Sequence, residues 1–235
     1  MSSWTAKRFW KAASVVECEG GFTVLLDGRA VKTPLRAPLV VPTRAVAAAI
    51  AQEWDAQQGK INPELMPMTR YANSAIDKVA PQFDTVVEIV AAYGETDLLC
   101  YRATGPASLI VRQNSHWNPL LEWANTDLNA ALTATPGVIY IAQNPDALAR
   151  LTAKVTALTP FQLAAFHDLV AISGSLILAL AVVAQTLPPD QAWQISRIDE
   201  DWQIEQWGID DEAAALAATK RAALMDAARF LTLCG

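Results

Sequence analysis

Histidine and cysteine are scarce here, with two and three in 235 residues. Cys18, Cys100 and Cys234 are odd in number and widely spaced, with no Cys-x-x-Cys pair. That argues against a disulfide framework and a zinc site, and it fits a reducing compartment. His116 and His167 are too far apart for a zinc-binding helix motif. Positive charge is also thin. The chain has 18 Lys and Arg against 24 Asp and Glu, a net charge of -6, and no dense basic run. Nucleic-acid and anionic-membrane partners would want one. No Gly-x-Gly-x-x-Gly and no phosphate loop ending in Gly-Lys-Ser/Thr occurs, which removes the strongest sequence handles for dinucleotide binding and ATP hydrolysis. Ser173-Gly174-Ser175-Leu176 fails the Gly-x-Ser-x-Gly pattern of a serine nucleophile. The start, Met1 to Lys11, has neither the apolar core of a secretory signal nor a long Arg/Ser-rich transit stretch, so a cytoplasmic protein is expected.

Tryptophan is abundant, with eight residues. Several stand beside charged or amide groups, as in Glu53-Trp54-Asp55, His116-Trp117-Asn118 and Glu205-Gln206-Trp207. An amphipathic ring beside polar groups suits a surface that is dry at one end and wet at the other, as protein interfaces are. The same ring serves equally as a core residue with one hydrogen bond. At 52% hydrophobic and 18% charged residues, the chain is apolar for a soluble protein and long enough to bury a sizeable core.

The pattern predicts an α+β protein: a small antiparallel β-rich N-terminal domain over residues 1–61, with one packing helix, then a larger all-α domain over 62–235. Short strands are expected at about Phe9–Cys18, Gly21–Leu26, Arg29–Thr33 and Leu39–Val41, with Asp27-Gly28 as a tight turn. Thr43 reads as the cap of a helix whose stripe is Val46, Ile50 and Trp54, stopped near Gly59. Further helices are expected over Met68–Ala80, Gln82–Tyr93, Ser108–Leu132, Asp146–Leu158 and Pro160–Leu187, with a short strand at Val138–Ile141. One more helix opens at Asp190, carrying Ile195, Ile198 and Trp202 on one stripe and Arg197, Asp201 and Glu205 along its edge. The last runs from Asp210 to Leu231. The uncharged run Leu169–Leu187 approaches a membrane span in length. Its Ser173-Gly174-Ser175, its Gln185 and its lack of aromatic or basic flanks predict a buried helix instead. Gly174 either admits a close neighbour or breaks that segment in two.

Chemistry-bearing residues are few. Asp97, Arg102, His116 and Trp117 form the one polar-aromatic set from which an unrecognised small-molecule enzyme site could be built. Asp199-Glu200-Asp201 and Asp210-Asp211-Glu212 could bind a divalent cation, but adjacent helical residues point apart, and solvated acidic faces are expected. Catalytic and metal sites are therefore expected to be absent.

Ordered motifs carry a resemblance. They are Arg8-Phe9-Trp10-Lys11, Leu26-Asp27-Gly28-Arg29-Ala30-Val31-Lys32-Thr33-Pro34, Glu53-Trp54-Asp55-Ala56-Gln57, Met66-Pro67-Met68-Thr69-Arg70, Ala75-Ile76-Asp77 and Asp97-Leu98-Leu99-Cys100-Tyr101-Arg102. Trp117-Asn118-Pro119-Leu120-Leu121-Glu122-Trp123, Gly174-Ser175-Leu176 and Glu205-Gln206-Trp207-Gly208-Ile209-Asp210-Asp211-Glu212-Ala213 complete the series. In this order the chain resembles, over essentially its whole length, the assembly chaperones that act on the α subunit of the mitochondrial and alphaproteobacterial ATP synthase.

The resemblance implies a β-rich domain followed by a helical one, no enzymatic activity, no cofactor and no nucleotide requirement. It implies binding of the free α subunit of the catalytic sector, shielding of the surface that later meets a β subunit, and release when the β subunit competes. A monomer without nucleic-acid binding or stable membrane insertion is expected. Mitochondrial members carry a targeting extension that is missing here, so the bacterial cytoplasm is the expected location, with the mitochondrial matrix for eukaryotic relatives. Acidic residues near the C-terminal Trp-Gly motif are implicated by the resemblance, and here these are Glu205, Asp210 and Glu212. Trp207 is the aromatic candidate beside them. Asp210 and Glu212 are equally suited to capping a helix.

Overall fold

In the computed structural model, residues 7–235 are described. The targeting reading of Met1 to Lys11 therefore lies outside the described residues up to position 6. A small antiparallel sheet precedes a larger helical region, which is the α+β architecture expected. The chain forms two compact units. One comprises residues up to Phe83 with Thr159–Ala165 and Arg229–Gly235; the other comprises Asp84–Leu158 and Phe166–Ala228. The shift in composition at residues 61 and 62 falls inside the first.

In the first unit, β1 (Ala13–Cys18) pairs antiparallel with β2 (Gly21–Leu26), with Ala13 opposite Leu26 and Cys18 opposite Gly21. The two short strands β3 (Arg29–Ala30) and β4 (Val40–Val41) share the other edge of β2. The first strand starts later than expected because Asp27 holds the backbone before it: its carboxylate accepts from the N–H groups of Lys11, at 2.9 Å, and Ala12, at 3.1 Å. Those bonds hold the Asp27 carboxyl below its ordinary pKa.

Helix α1 (Arg44–Ala56) covers this sheet. Thr43 caps it, its Oγ1 accepting from Val46 N at 3.1 Å. Val46, Ile50 and Trp54 are buried, and the Trp54 ring meets Trp10 edge to face at 5.2 Å. The stripe is buried as expected, and Trp54 packs on the segment that leads into β1. The next helix, α2 (Pro67–Ser74), has no side-chain cap of its own. Glu53 supplies one from α1: its carboxylate accepts from Met68 N, Thr69 N and the Thr69 hydroxyl at 2.7, 2.8 and 2.6 Å. Burial pushes the Glu53 carboxyl up while these bonds pull it down. The sequence predicts one helix through Ala80, but the backbone widens to a π-helical turn at Ala75–Val79.

The second unit is mainly helical. Its elements begin in α3 (Phe83–Ala91) and continue through β5 (Tyr101–Arg102), α4 (Ala107–Asp127), β6 (Thr135–Pro136) and α5 (Pro145–Thr156). The strand expected at Val138–Ile141 does not form; β6 pairs instead with β5, in parallel, and Val138 and Ile139 stand exposed. The run expected as one helix from Pro160 to Leu187 is α6 (Pro160–Ser173) followed by α7 (Leu176–Val183). Gly174, at φ 70°, makes the break, a left-handed conformation costly for other residues. Two groups outside the α7 backbone cap it: Ser175 Oγ accepts from Leu178 N and buried Asp97 accepts from Ile177 N, both at 3.0 Å. Leu176 to Ala181 are buried, and among the described residues no helix is long and apolar enough to cross a membrane. The helix expected from Asp190 is also two, α8 (Pro189–Ser196) and α9 (Ile198–Trp207), because Arg197 leaves helical geometry at φ -109° and ψ 14°. The last, α10 (Asp211–Cys234), follows.

Candidate partner-binding site

The residues singled out around the Trp-Gly motif lie at the elbow between α9 and α10. Gly208 turns the chain at φ 93° while its N–H still closes the last turn of α9 on Ile204 O at 2.8 Å. Asp210 then caps α10, its Oδ1 accepting from Ala213 N at 2.9 Å. Of the two roles the sequence left open for Asp210, helix capping is present in the structure. Glu212 is exposed in the first turn of α10, where the helix dipole favours its charge.

Apolar side chains surround the turn. Trp207 is 76% exposed, Ile209 73% and Leu216 57%. Trp202, half-buried and 6.2 Å away, meets the Trp207 ring edge to face. A cleft of about 390 Å³ runs along this elbow, lined by Ile204, Trp207, Ala213 and Leu216 together with Arg197, Glu200, Asp210 and Lys220. A concave apolar surface fringed by charge is suited to take a side chain or helix of another protein.

Glu205 does not line this cleft. Its two oxygens accept from the two terminal nitrogens of Arg112, both at 2.7 Å, across 93 residues. The guanidinium holds the Glu205 carboxyl below its usual range, and the carboxylate raises Arg112 in turn. The sequence places Glu205 in a series with Arg197 and Asp201; the structure keeps only Arg197–Asp201, at 3.3 Å. The elbow thus unites Trp207 and Asp210, with Glu212 just inside α10 and Glu205 on a neighbouring face. Sequence reasoning missed Arg112, Ile209 and Leu216. A charge-sparse stretch of α4 carries no local sign that Arg112 pairs with a residue of α9.

The four residues named for an enzyme site are only partly brought together. Asp97 is fully buried, accepting from Leu99 N and Ile177 N at 3.0 Å, and burial raises its pKa to about 6. Arg102 donates to Leu99 O at 2.8 Å and lies over the Trp117 ring at 5.3 Å. Trp117 is itself buried and donates to Ile195 O at 3.0 Å. His116 is exposed, bordering a shallow cavity with Gln191, Gln194, Ile195 and Ile198, and neither Asp97 nor Arg102 reaches it. Asp97 is itself fully buried, and its shifted carboxyl serves as a helix cap. The acidic runs disperse as well: Asp199 accepts from Gln113 at 2.6 Å and Asp201 pairs with Arg197.

Comparison with known proteins finds similar chains. A family model described as ATP12 chaperone protein matches residues 7–125. The protein named atp12, mitochondrial, of Schizosaccharomyces pombe is 25% identical over 219 residues, 88% of this chain and 75% of that one. The crystal structure of Atp12 from Paracoccus denitrificans is 50% identical, with a TM-score of 0.96 over 99% of this chain and 100% of its own. The Atu1473 protein of Agrobacterium tumefaciens is 40% identical, with a TM-score of 0.94 over 97% of this chain and 86% of its own. The family model ends at residue 125, before the elbow; the structural likeness runs through it.

Proposed function

The chain belongs to the ATP12 chaperone family, a family of ATP synthase assembly chaperones, and from that premise we propose that it binds the free α subunit of the catalytic sector. In this reading it shields the apolar surface of the α subunit that later meets a β subunit, and the β subunit displaces it. The carrying observation is the exposed elbow, where Trp207, Ile209 and Leu216 stand in solvent beside a cleft. An unassembled subunit of an obligate complex exposes apolar surface that invites aggregation. Covering that surface needs a complementary apolar patch and an affinity low enough to yield to the true partner, but no reaction. The proposal assigns the contact to Trp207, with Glu205, Asp210 and Glu212 as an acidic margin that steers approach. It also has the protein acting as a monomer in the bacterial cytoplasm, a location supported by relatives from Paracoccus and Agrobacterium.

The test is dilution of denatured α subunit into buffer containing this protein. Suppressed light scattering and a one-to-one complex on gel filtration are expected. Undiminished aggregation with no co-eluting complex would overturn the reading.

A further inference from the structure

The first compact unit carries a second apolar opening, which the elbow does not explain. A groove of about 360 Å³ lies between the Pro34-Leu35 turn, the Ile61–Met66 segment and one face of α2 and the π-helical turn. Trp54, Ile61 and Met66 line it and are at most 5% exposed. Leu35 stands at its edge, 73% exposed, and Leu65, next in sequence to Met66, is 68% exposed.

Leu35 is held in that exposed position. Asp77 accepts from Leu35 N at 3.1 Å and from the Thr33 hydroxyl at 2.6 Å, and Thr33 Oγ1 in turn accepts from Ala37 N at 3.1 Å. Asp77 belongs to the π-helical turn, a departure from regular helix that proteins use disproportionately at functional sites. Its carboxylate is thereby committed to the Leu35 turn. The groove's two cations are not so committed: Arg70 and Lys78 are exposed on its wall and form no ion pair among the described residues. In a chain of net charge -6, this margin is locally positive.

An apolar floor, a braced leucine and two uncommitted cations complement a segment that places a large apolar side chain beside a carboxylate. We propose that this groove is a docking site for an acidic-apolar segment of the chaperoned partner, the apolar side chain entering over Trp54 and Met66 and the carboxylate meeting Arg70 and Lys78. The source of that segment, the α subunit, rests on the reading above. The two exposed leucines extend the apolar surface beyond the groove itself, as a macromolecular partner would use.

The test uses the full chain and fluorescent overlapping peptides covering the α subunit, with binding read by anisotropy. Peptides that pair Leu, Phe or Met with a neighbouring Asp or Glu should bind. Their affinity should fall about tenfold when those acids are replaced by amides, and by a similar factor in Arg70→Glu/Lys78→Glu. Leu35→Ser should weaken binding at unchanged melting temperature. Absence of peptide binding, or binding indifferent to charge reversal at the rim in a protein of normal circular dichroism, would overturn the proposal. Failure to capture the whole α subunit while these peptides still bind would instead remove the α-subunit reading and leave the groove standing.

Discussion

Arg112 on α4 and Glu205 on α9 meet in a two-point ion pair, both contacts at 2.7 Å, although 93 residues separate them. Both groups are exposed enough for water and salt to screen them. The pair therefore orients the end of α9 next to the elbow without dominating stability. Glu205→Lys sets two cations face to face. We expect a melting-temperature shift of no more than about 4 °C, shrinking at high salt, together with weaker capture of the α subunit. The swapped pair Arg112→Glu/Glu205→Arg restores the melting temperature; if it restores capture as well, Glu205 acts by positioning α9 and not through its own charge.

Trp207→Ala separates binding from folding. The ring is 76% exposed, so its loss is expected to change stability by no more than about 0.5 kcal/mol. As the aromatic anchor proposed for the interface, it is expected to contribute about 2 kcal/mol or more to binding. Urea denaturation and titration with the α subunit measure the two. Unchanged affinity would remove the elbow from the contact surface.

Trp117→Ala is the opposite case. The side chain is fully buried and its indole donates to Ile195 O at 3.0 Å. A loss of about 3–5 kcal/mol of stability is expected, seen as a lower urea midpoint with unchanged slope. A loss within 1 kcal/mol, on the order of a surface substitution, would contradict the packing described.

Asp97 gives a pH signature. Its folded-state pKa, about 6, stands above its ordinary 3.8 because burial disfavours the charged form. The folded protein then holds a proton that the unfolded chain has released. Stability from this group is fully present below the unfolded value and is lost as pH rises through the folded one. Asp97→Asn keeps one acceptor but turns a second position into a donor facing an N–H, costing about 1–3 kcal/mol. The stability of the wild type relative to Asp97→Asn is expected to fall between about pH 4 and pH 6 and then level. Asp27 and Glu205, whose carboxyls are depressed, have the opposite slope and cancel in the comparison. A flat difference curve would assign the acid titration elsewhere.

Much of the architecture was legible along the chain. The Thr43 cap, the Val46–Ile50–Trp54 stripe, the strands on either side of Asp27-Gly28 and the helical character of the rest all depend on neighbours within a few residues, so a linear reading finds them. The family was legible too, from motifs read in order along the chain, and the matching family model spans residues 7–125. Breaks were harder. The splits at Gly174 and Arg197 and the widened turn at Ala75–Val79 interrupt runs whose hydrophobic period continues across them.

By itself, then, the sequence determined the α+β order of a small sheet before a larger helical region, and the covered face of α1. Tertiary structure alone decided which tryptophans are core and which face solvent: Trp117 and Trp207 have similar polar neighbours in sequence, yet one is fully buried and the other 76% exposed. It also decided that Glu53 caps α2, that Asp97 caps α7, that Glu205 faces Arg112, and that Asp77 braces Leu35 over a groove. The reason is the range of the forces involved. Caps and periodicity are set by the local backbone, whereas burial and remote carboxylate pairings depend on which surfaces packing brings together, information that no short window of sequence contains.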